Sequence, residues 1–169
     1  FWPLAEKVLF PIAGTTLLTE QIERLQRAGI KKIMIVGGSH NIAELKKLFP
    51  ALQILQQEDI KLGMRGALLS ALPHCGNQQI MIVSGNDIID SSAYADLMKR
   101  AKALKHGGLI LARKVTNYFP GGYLTVKGKR ITGIIEKPGA GKEPSNLMNI
   151  VAHVHAEPME LLAALRKVK

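Results

Sequence analysis

Cysteine is nearly absent from this sequence: Cys75 is the one thiol among 169 residues. No intrachain disulfide can form, and a reducing, cytoplasmic setting is expected. Aromatic residues are scarce at 5%, which argues against a nucleic-acid surface that stacks bases on exposed rings. Long apolar runs are missing too. The longest are pieces such as Ile33–Val36 and Leu109–Ala112, far short of the ~20 residues that cross a membrane. The opening stretch, FWPLAEKVLFPIAG, carries Glu6, Lys7 and two prolines and is no secretory apolar region. It lacks an initial methionine and reads as the middle of a loop, so the natural N-terminus is expected to have been lost. Aspartate does not recur after Asp96, and no Ser-His-Asp or Cys-His grouping lies near any motif. Covalent catalysis by an activated nucleophile therefore has no support.

What is present is a globular balance, 47% apolar and 21% charged, in a length suited to one domain spanning residues 1–169. The net charge of +10 is unevenly placed. Residues 1–98 hold nine basic and nine acidic side chains, whereas residues 99–169 hold fourteen basic and four acidic ones. Such a one-sided field attracts polyanions such as nucleic acid, acidic membranes or phosphorylated small molecules.

Helical and strand patterns alternate over the first two thirds. Residues 16–28 place Leu18, Ile22 and Leu25 on one helical face, with Gly29 as the stop. Lys32–Val36 is a short apolar run of strand length; Asn41 opens a helix with Glu44 as capping partner. Residues 51–55 form a second strand and 65–72 a helix closed by Pro73. Residues 80–83 are a third strand, Ser91–Lys105 a helix and 109–112 a fourth strand. This order implies a three-layer α/β/α, Rossmann-like domain with a mostly parallel sheet. A late hairpin follows, 121–126 against 130–136, then a strand over 149–154 and a helix over 157–168. Ligands of open α/β sheets bind beyond the carboxyl ends of strands, and four candidate segments sit there.

The first is Ser84-Gly85-Asn86-Asp87-Ile88-Ile89-Asp90. A carboxylate at a strand end, preceded by glycine, can approach phosphates and hold a hard cation such as Mg²⁺. Asp87 is the candidate, while Asp90 is read as the cap of the helix that starts at Ser91. The second is Ile135-Glu136-Lys137-Pro138 with Ser145-Asn146-Leu147-Met148-Asn149. There Glu136 can accept from hydroxyls, Lys137 can meet a phosphate, and Asn149 offers both donor and acceptor. The third runs from Lys7 to Gly14. The fourth comprises Gln56-Gln57 with Leu62-Gly63-Met64-Arg65-Gly66-Ala67, where a glycine-flanked turn before a helix can present backbone N–H groups. His153 and His155 alternate on one strand and share a face; with no third ligand in sight they read as sheet-face histidines. His74-Cys75 likewise lacks partners for zinc.

In this order the segments resemble the sugar-phosphate nucleotidyltransferases. Phe1-Trp2-Pro3-Leu4 looks like the tail of that family's glycine-rich loop; Lys7, Pro11, Gly14 and Ile22-Glu23-Arg24-Leu25 through Ala28-Gly29-Ile30 follow its pattern. The resemblance spans nearly the whole chain, and it implies transfer of a nucleotidyl group from a nucleoside triphosphate to a sugar 1-phosphate, with release of pyrophosphate. It further implies Lys7 as a phosphate contact during transfer, Gln57 as a reader of the base (a pyrimidine) and Gly63 as the glycine packed against it. Asp87 would be the Mg²⁺ ligand, Glu136 and Lys137 sugar and phosphate contacts, Asn149 a sugar-hydroxyl contact, and Gly122 a backbone contact to the sugar. The attacking phosphate is already ionised, so no general base is needed. Lys7, Asp87, Glu136, Lys137 and Asn149 are accordingly expected to converge on one cleft. No membrane partner is expected, and a homo-oligomer is compatible with the pattern.

The sequence departs from the family at four places. The glycine-rich loop and its arginine are absent, and the stretch from Pro3 to Lys7 is short. The family's Gly-Thr-Ala is Gly63-Met64-Arg65, and its Gly-Asp is Gly85-Asn86-Asp87, so either Asn86 or Asp87 can take the aspartate position. The second, downstream aspartate is absent, which reads as truncation at both ends and as weak or absent turnover by this chain alone. The competing readings are a regulatory paralogue that binds nucleotide sugar without turnover and, on charge alone, a nucleic-acid-binding domain.

Overall fold

The computed structural model describes residues 6–168; the Phe1–Leu4 signature lies outside them. After a short 3₁₀ turn at Lys7–Leu9, a miniature hairpin pairs β1 (Pro11–Ile12) with β2 (Thr15–Thr16). Ala13 and Gly14 between them both have positive φ, 47° and 86°, the backbone that a two-residue hairpin turn requires. Thr16 then caps α1 (Leu17–Arg27), its hydroxyl accepting from the Thr19 N–H at 3.1 Å.

The chain continues through β3 (Met34–Gly37), α2 (Ile42–Leu48), β4 (Gln53–Gln56), α3 (Gly63–Ala71), β5 (Ile80–Val83) and α4 (Ser91–Ala101). β6 (Gly108–Lys114), β7 (Gly122–Lys127), β8 (Arg130–Glu136), β9 (Leu147–His155) and α5 (Pro158–Lys167) complete it. Every expected element is present, with ends shifted by a few residues. The largest shift is in α4, which stops at Ala101 rather than Lys105.

The strand neighbours differ more from expectation. β3 and β4 are parallel, but they form a sheet of their own. β5 and β6 run in the same direction, yet β9 lies between them, antiparallel to both, and β7 pairs antiparallel with β8 and β9. Every ladder of this five-stranded sheet is thus antiparallel, where a mostly parallel sheet is expected from the sequence; the one parallel ladder among the described residues is β3 with β4. Alternating strand and helix patterns give the elements, but a late strand inserted between earlier ones leaves no local trace.

α1 ties the two sheets together. Its Leu18 and Ile22 pack with Ile35 of β3 and Leu45 of α2. Its Leu25 joins Tyr94, Leu97 and Ala101 of α4 and Ala152 and Val154 of β9. Asn41 precedes α2 as expected but makes no capping bond. Its buried side chain instead lies over Gly37, where an added Cβ would come within 2.7 Å of Oδ1. Among the described residues β3 pairs only with β4, and β5 only with β9. A cavity of about 770 Å³ opens between those strands, lined by Val36, Ile80 and Ile82 among others. Gln21 and Asn41 also line it, and they carry two buried oxygens without a hydrogen-bond partner, Gln21 Oε1 and Asn41 Oδ1.

Candidate functional site

The expected site residues fall into three groups. In the first, strand register brings Gly122 of β7 opposite Glu136 of β8, and Tyr123 opposite Met148 of β9. Gly122 is buried, and a Cβ there would approach Ile134 Cγ2 at 3.0 Å, Glu136 Oε2 at 3.1 Å and Asn149 Cβ at 3.7 Å. Three strands therefore meet around a missing side chain. Glu136 stays exposed and Asn149 half-buried. Ser145 locks the entry of β9, donating to the Leu124 carbonyl at 2.6 Å and accepting from the Leu147 N–H at 3.1 Å. Lys137 closes β8 with its N–H donating to the Gly121 carbonyl at 3.0 Å. Its φ is +44°, a left-handed backbone that costs a non-glycine residue about 1 kcal/mol. Strain of this kind concentrates at functional positions.

The second group follows β5. Gly85 and Asn86 form a turn, and Asn86 is exposed, its amide oxygen accepting from the Ser84 hydroxyl. Asp87 is half-buried, and this desolvation raises its carboxyl above the usual range. It takes no hydrogen bond from any described residue. Asp90 is the cap expected of it, accepting from the Ser92 N–H at 2.8 Å, and this bonding lowers its pKa. Lys7 is exposed on its 3₁₀ turn, and the next residue, Val8, covers Gly85: an added Cβ would meet Val8 Cγ1 at 3.0 Å. The Lys7 segment and the Asp87 loop are thus neighbours. The Ser84 N–H donates to the Val151 carbonyl at 2.9 Å, which moors this loop to the strand that carries Asn149.

The third group follows β4. Gln57 donates through Nε2 to the carbonyls of Asp59, at 2.7 Å, and Gly63, at 2.9 Å. Its own N–H donates to the Gly37 carbonyl at 2.7 Å. Gly63 starts α3 at φ +53°, ψ −135°, and a Cβ there would point into open space. Gly66, quoted in the motif without a role, proves structural. An added Cβ would meet Gln57 Nε2 at 2.4 Å and the Asp59 carbonyl at 2.6 Å. Arg65 is turned away, donating to the carbonyls of Leu165 (3.1 Å) and Val168 at the end of α5. That is a helix C-terminus satisfied by a cation. Glycine spacing was the signal for Gly66; nothing local announced the partner of Arg65, 100 residues away.

Direct contacts hold each group together. Among the described residues no hydrogen bond or ion pair joins Gln57, Asp87 and Glu136 to one another. No group of three or more His, Cys, Asp or Glu side chains that could hold a metal occurs among them either. His153 and His155 share a face of β9 with ring centres 6.4 Å apart, both half-buried and both lowered in pKa by desolvation. No described helix is long and apolar enough to cross a membrane.

Comparison with known proteins gives this arrangement a family. A protein assigned as a glucose-1-phosphate thymidylyltransferase from Bacillus anthracis, crystallised with sucrose, superposes with a TM-score of 0.84 at 17% identity over all of this chain and 70% of its own. The apo structure of a UDP-glucose pyrophosphorylase matches at 0.80 and 17%, over all of this chain and 76% of its own. The fold is therefore that of the nucleotide-diphospho-sugar transferases. A bifunctional sugar-1-phosphate nucleotidylyltransferase/acetyltransferase of Sulfurisphaera tokodaii is 31% identical over 144 residues, 85% of this chain. The chain spans about a third (34%) of that relative's length. The family model described as nucleotidyl transferase matches residues 1–167, and the chain belongs to that family.

Proposed function

We propose that this chain binds a sugar 1-phosphate and a nucleoside triphosphate and carries residues that transfer the nucleotidyl group between them. The observation that carries this reading is the cradle at Gly122, where the space of a side chain is bounded by the Glu136 carboxylate and Asn149. A carboxylate and an amide at a strand junction suit a ligand rich in hydroxyls, and Lys137, held in strained backbone beside them, supplies a cation for its phosphate. Gln57 and Gly63 would receive the base and Lys7 the triphosphate.

Asp87 suits a divalent cation: it is an oxygen donor, partly desolvated and without a hydrogen bond of its own among described residues. Mg²⁺ is commonly held by one or two carboxylates together with substrate phosphates, and when bound it would supply charge neutralisation at the triphosphate. A phosphate oxygen of the sugar 1-phosphate attacks the α-phosphorus; a new P–O bond forms, and the bond to pyrophosphate breaks. Lys7 and Lys137 act by position and charge, holding the two phosphates against their mutual repulsion.

Calorimetric titration with a panel of sugar 1-phosphates, UTP and dTTP, together with a pyrophosphate-release assay, tests this reading. Binding of both ligand classes is expected, with at most weak turnover by this chain and none after Asp87→Ala. A chain that binds neither class overturns it. A chain that binds nucleotide sugar but neither a sugar 1-phosphate nor a nucleoside triphosphate would favour the regulatory reading.

A further inference from the structure

β9 carries a distortion that the cradle does not need. His153 pairs with Ile110 of β6, and Asn149 pairs with Ala112. Four residues of β9 therefore span the length of two on β6. In a regular strand, residues four apart are separated by roughly 13 Å, beyond the reach of a direct side-chain bond. Here His153 Nε2 and Asn149 Oδ1 are 2.9 Å apart. Bulges re-aim side chains beside functional sites, and this one aims the imidazole at the amide of a cradle residue.

The chemistry of the pair sets its direction. An amide oxygen only accepts, so the hydrogen lies on His153 Nε2. Ile82 and Ile110 flank His153 on the neighbouring strands. Burial lowers the ring's pKa and so favours the neutral form, in which a hydrogen on Nε2 leaves Nδ1 as the bare nitrogen. The bond fixes which end of the Asn149 amide faces His153, so its NH₂ group is the end left to donate, beside a Glu136 carboxylate that only accepts.

We propose that His153 is a positioning residue: its Nε2–H fixes the Asn149 amide so that the cradle offers one donor and one acceptor to neighbouring sugar hydroxyls. This rests on the sugar-phosphate reading above.

The test uses the 169-residue chain and the tightest-binding member of the sugar 1-phosphate panel. His153→Phe should weaken that ligand by about 3–13-fold, the upper range of one lost hydrogen bond, and leave UTP or dTTP affinity within about twofold. In an Asn149→Ala background His153→Phe should change nothing further. His153→Gln, which restores an N–H of similar reach, should recover most of the affinity. On the unaltered chain, long-range ¹H–¹⁵N NMR should show the Nε2–H tautomer at His153, a readout that stands even if the Phe variant does not fold. An Nδ1–H tautomer, an equal loss for both ligand classes, or full additivity with Asn149→Ala would overturn the inference while leaving the functional reading intact. Failure of the unaltered chain to bind any sugar 1-phosphate would overturn both.

Discussion

Glu136, Gly122 and Asn149 stand on three hydrogen-bonded strands, whereas Gln57 lies just beyond a two-stranded sheet and Gly63 starts α3. The first group is held by register. A one-residue slip of β7 on β8 would turn Gly122 to the other face and dismantle the cradle, and the buried Tyr123 and Met148 beside it resist such a slip. The second group is held by turn chemistry: three hydrogen bonds of Gln57, a positive φ at Gly63 and the absence of a side chain at Gly66. The cavity separates β3 from β5, so the first sheet does not extend its ladder to the second. Two contact groups in one chain can thus rest on different physics, one stiff through pairing and one through local bonding.

That contrast can be broken at several depths. The largest effect is expected at Tyr94, fully buried in the core that joins α1, α4 and β9 and bonded to Gln21 Nε2 at 3.2 Å. Tyr94→Ala should cost about 3–5 kcal/mol in denaturant unfolding; if it leaves the midpoint unchanged, the core is not shared as described. Next comes Gly66→Ala, whose new Cβ would press on Gln57 and the Asp59 carbonyl. It should cost about 1–3 kcal/mol of packing and weaken UTP or dTTP binding, while sugar 1-phosphate affinity stays. Equal losses for both ligands would show that the two groups are not independent.

Lys137→Gly should go the other way in stability. Removing the left-handed strain is worth about 1 kcal/mol, while loss of the cation should lower sugar 1-phosphate affinity. A variant that gains stability and binds normally would show that the strain serves no ligand. The smallest effect is in pH. His153 and His155 both have folded pKa values below their ordinary 6.5. The unfolded chain therefore takes up protons first as pH falls, and stability is lost from about pH 6.5 downwards through the lowered folded values. Asp87 acts oppositely: its raised carboxyl opposes folding at neutral pH, so Asp87→Asn should melt slightly higher there. Thermal melts from pH 4.5 to 7.5 on the unaltered chain, Asp87→Asn and His155→Gln would resolve both slopes.

Much of this was legible along the chain, and for identifiable reasons. Apolar runs bounded by Gly and Pro marked the strands from Ile80–Val83 to Leu147–His155, because strand and helix periods are local. Asp90 declared itself as a cap by standing one residue before α4. Residue chemistry at strand ends singled out Asp87, Glu136 and Asn149. The β1–β2 hairpin was missed, since strands of two residues carry no period and only Ala13-Gly14 marks the turn.

The sequence by itself determined the order and kind of the elements, the basic excess after residue 98 and the residue types available at each strand end, because propensity, period and charge are properties of neighbours in the chain. Only the tertiary structure decided that β9 runs between β5 and β6, that Arg65 serves α5, and that a four-for-two distortion lays His153 against Asn149. Those are pairings across distances at which local preference says nothing. They are set by which arrangement buries Tyr94, Ala152 and Val154 together while leaving the backbone of each strand bonded.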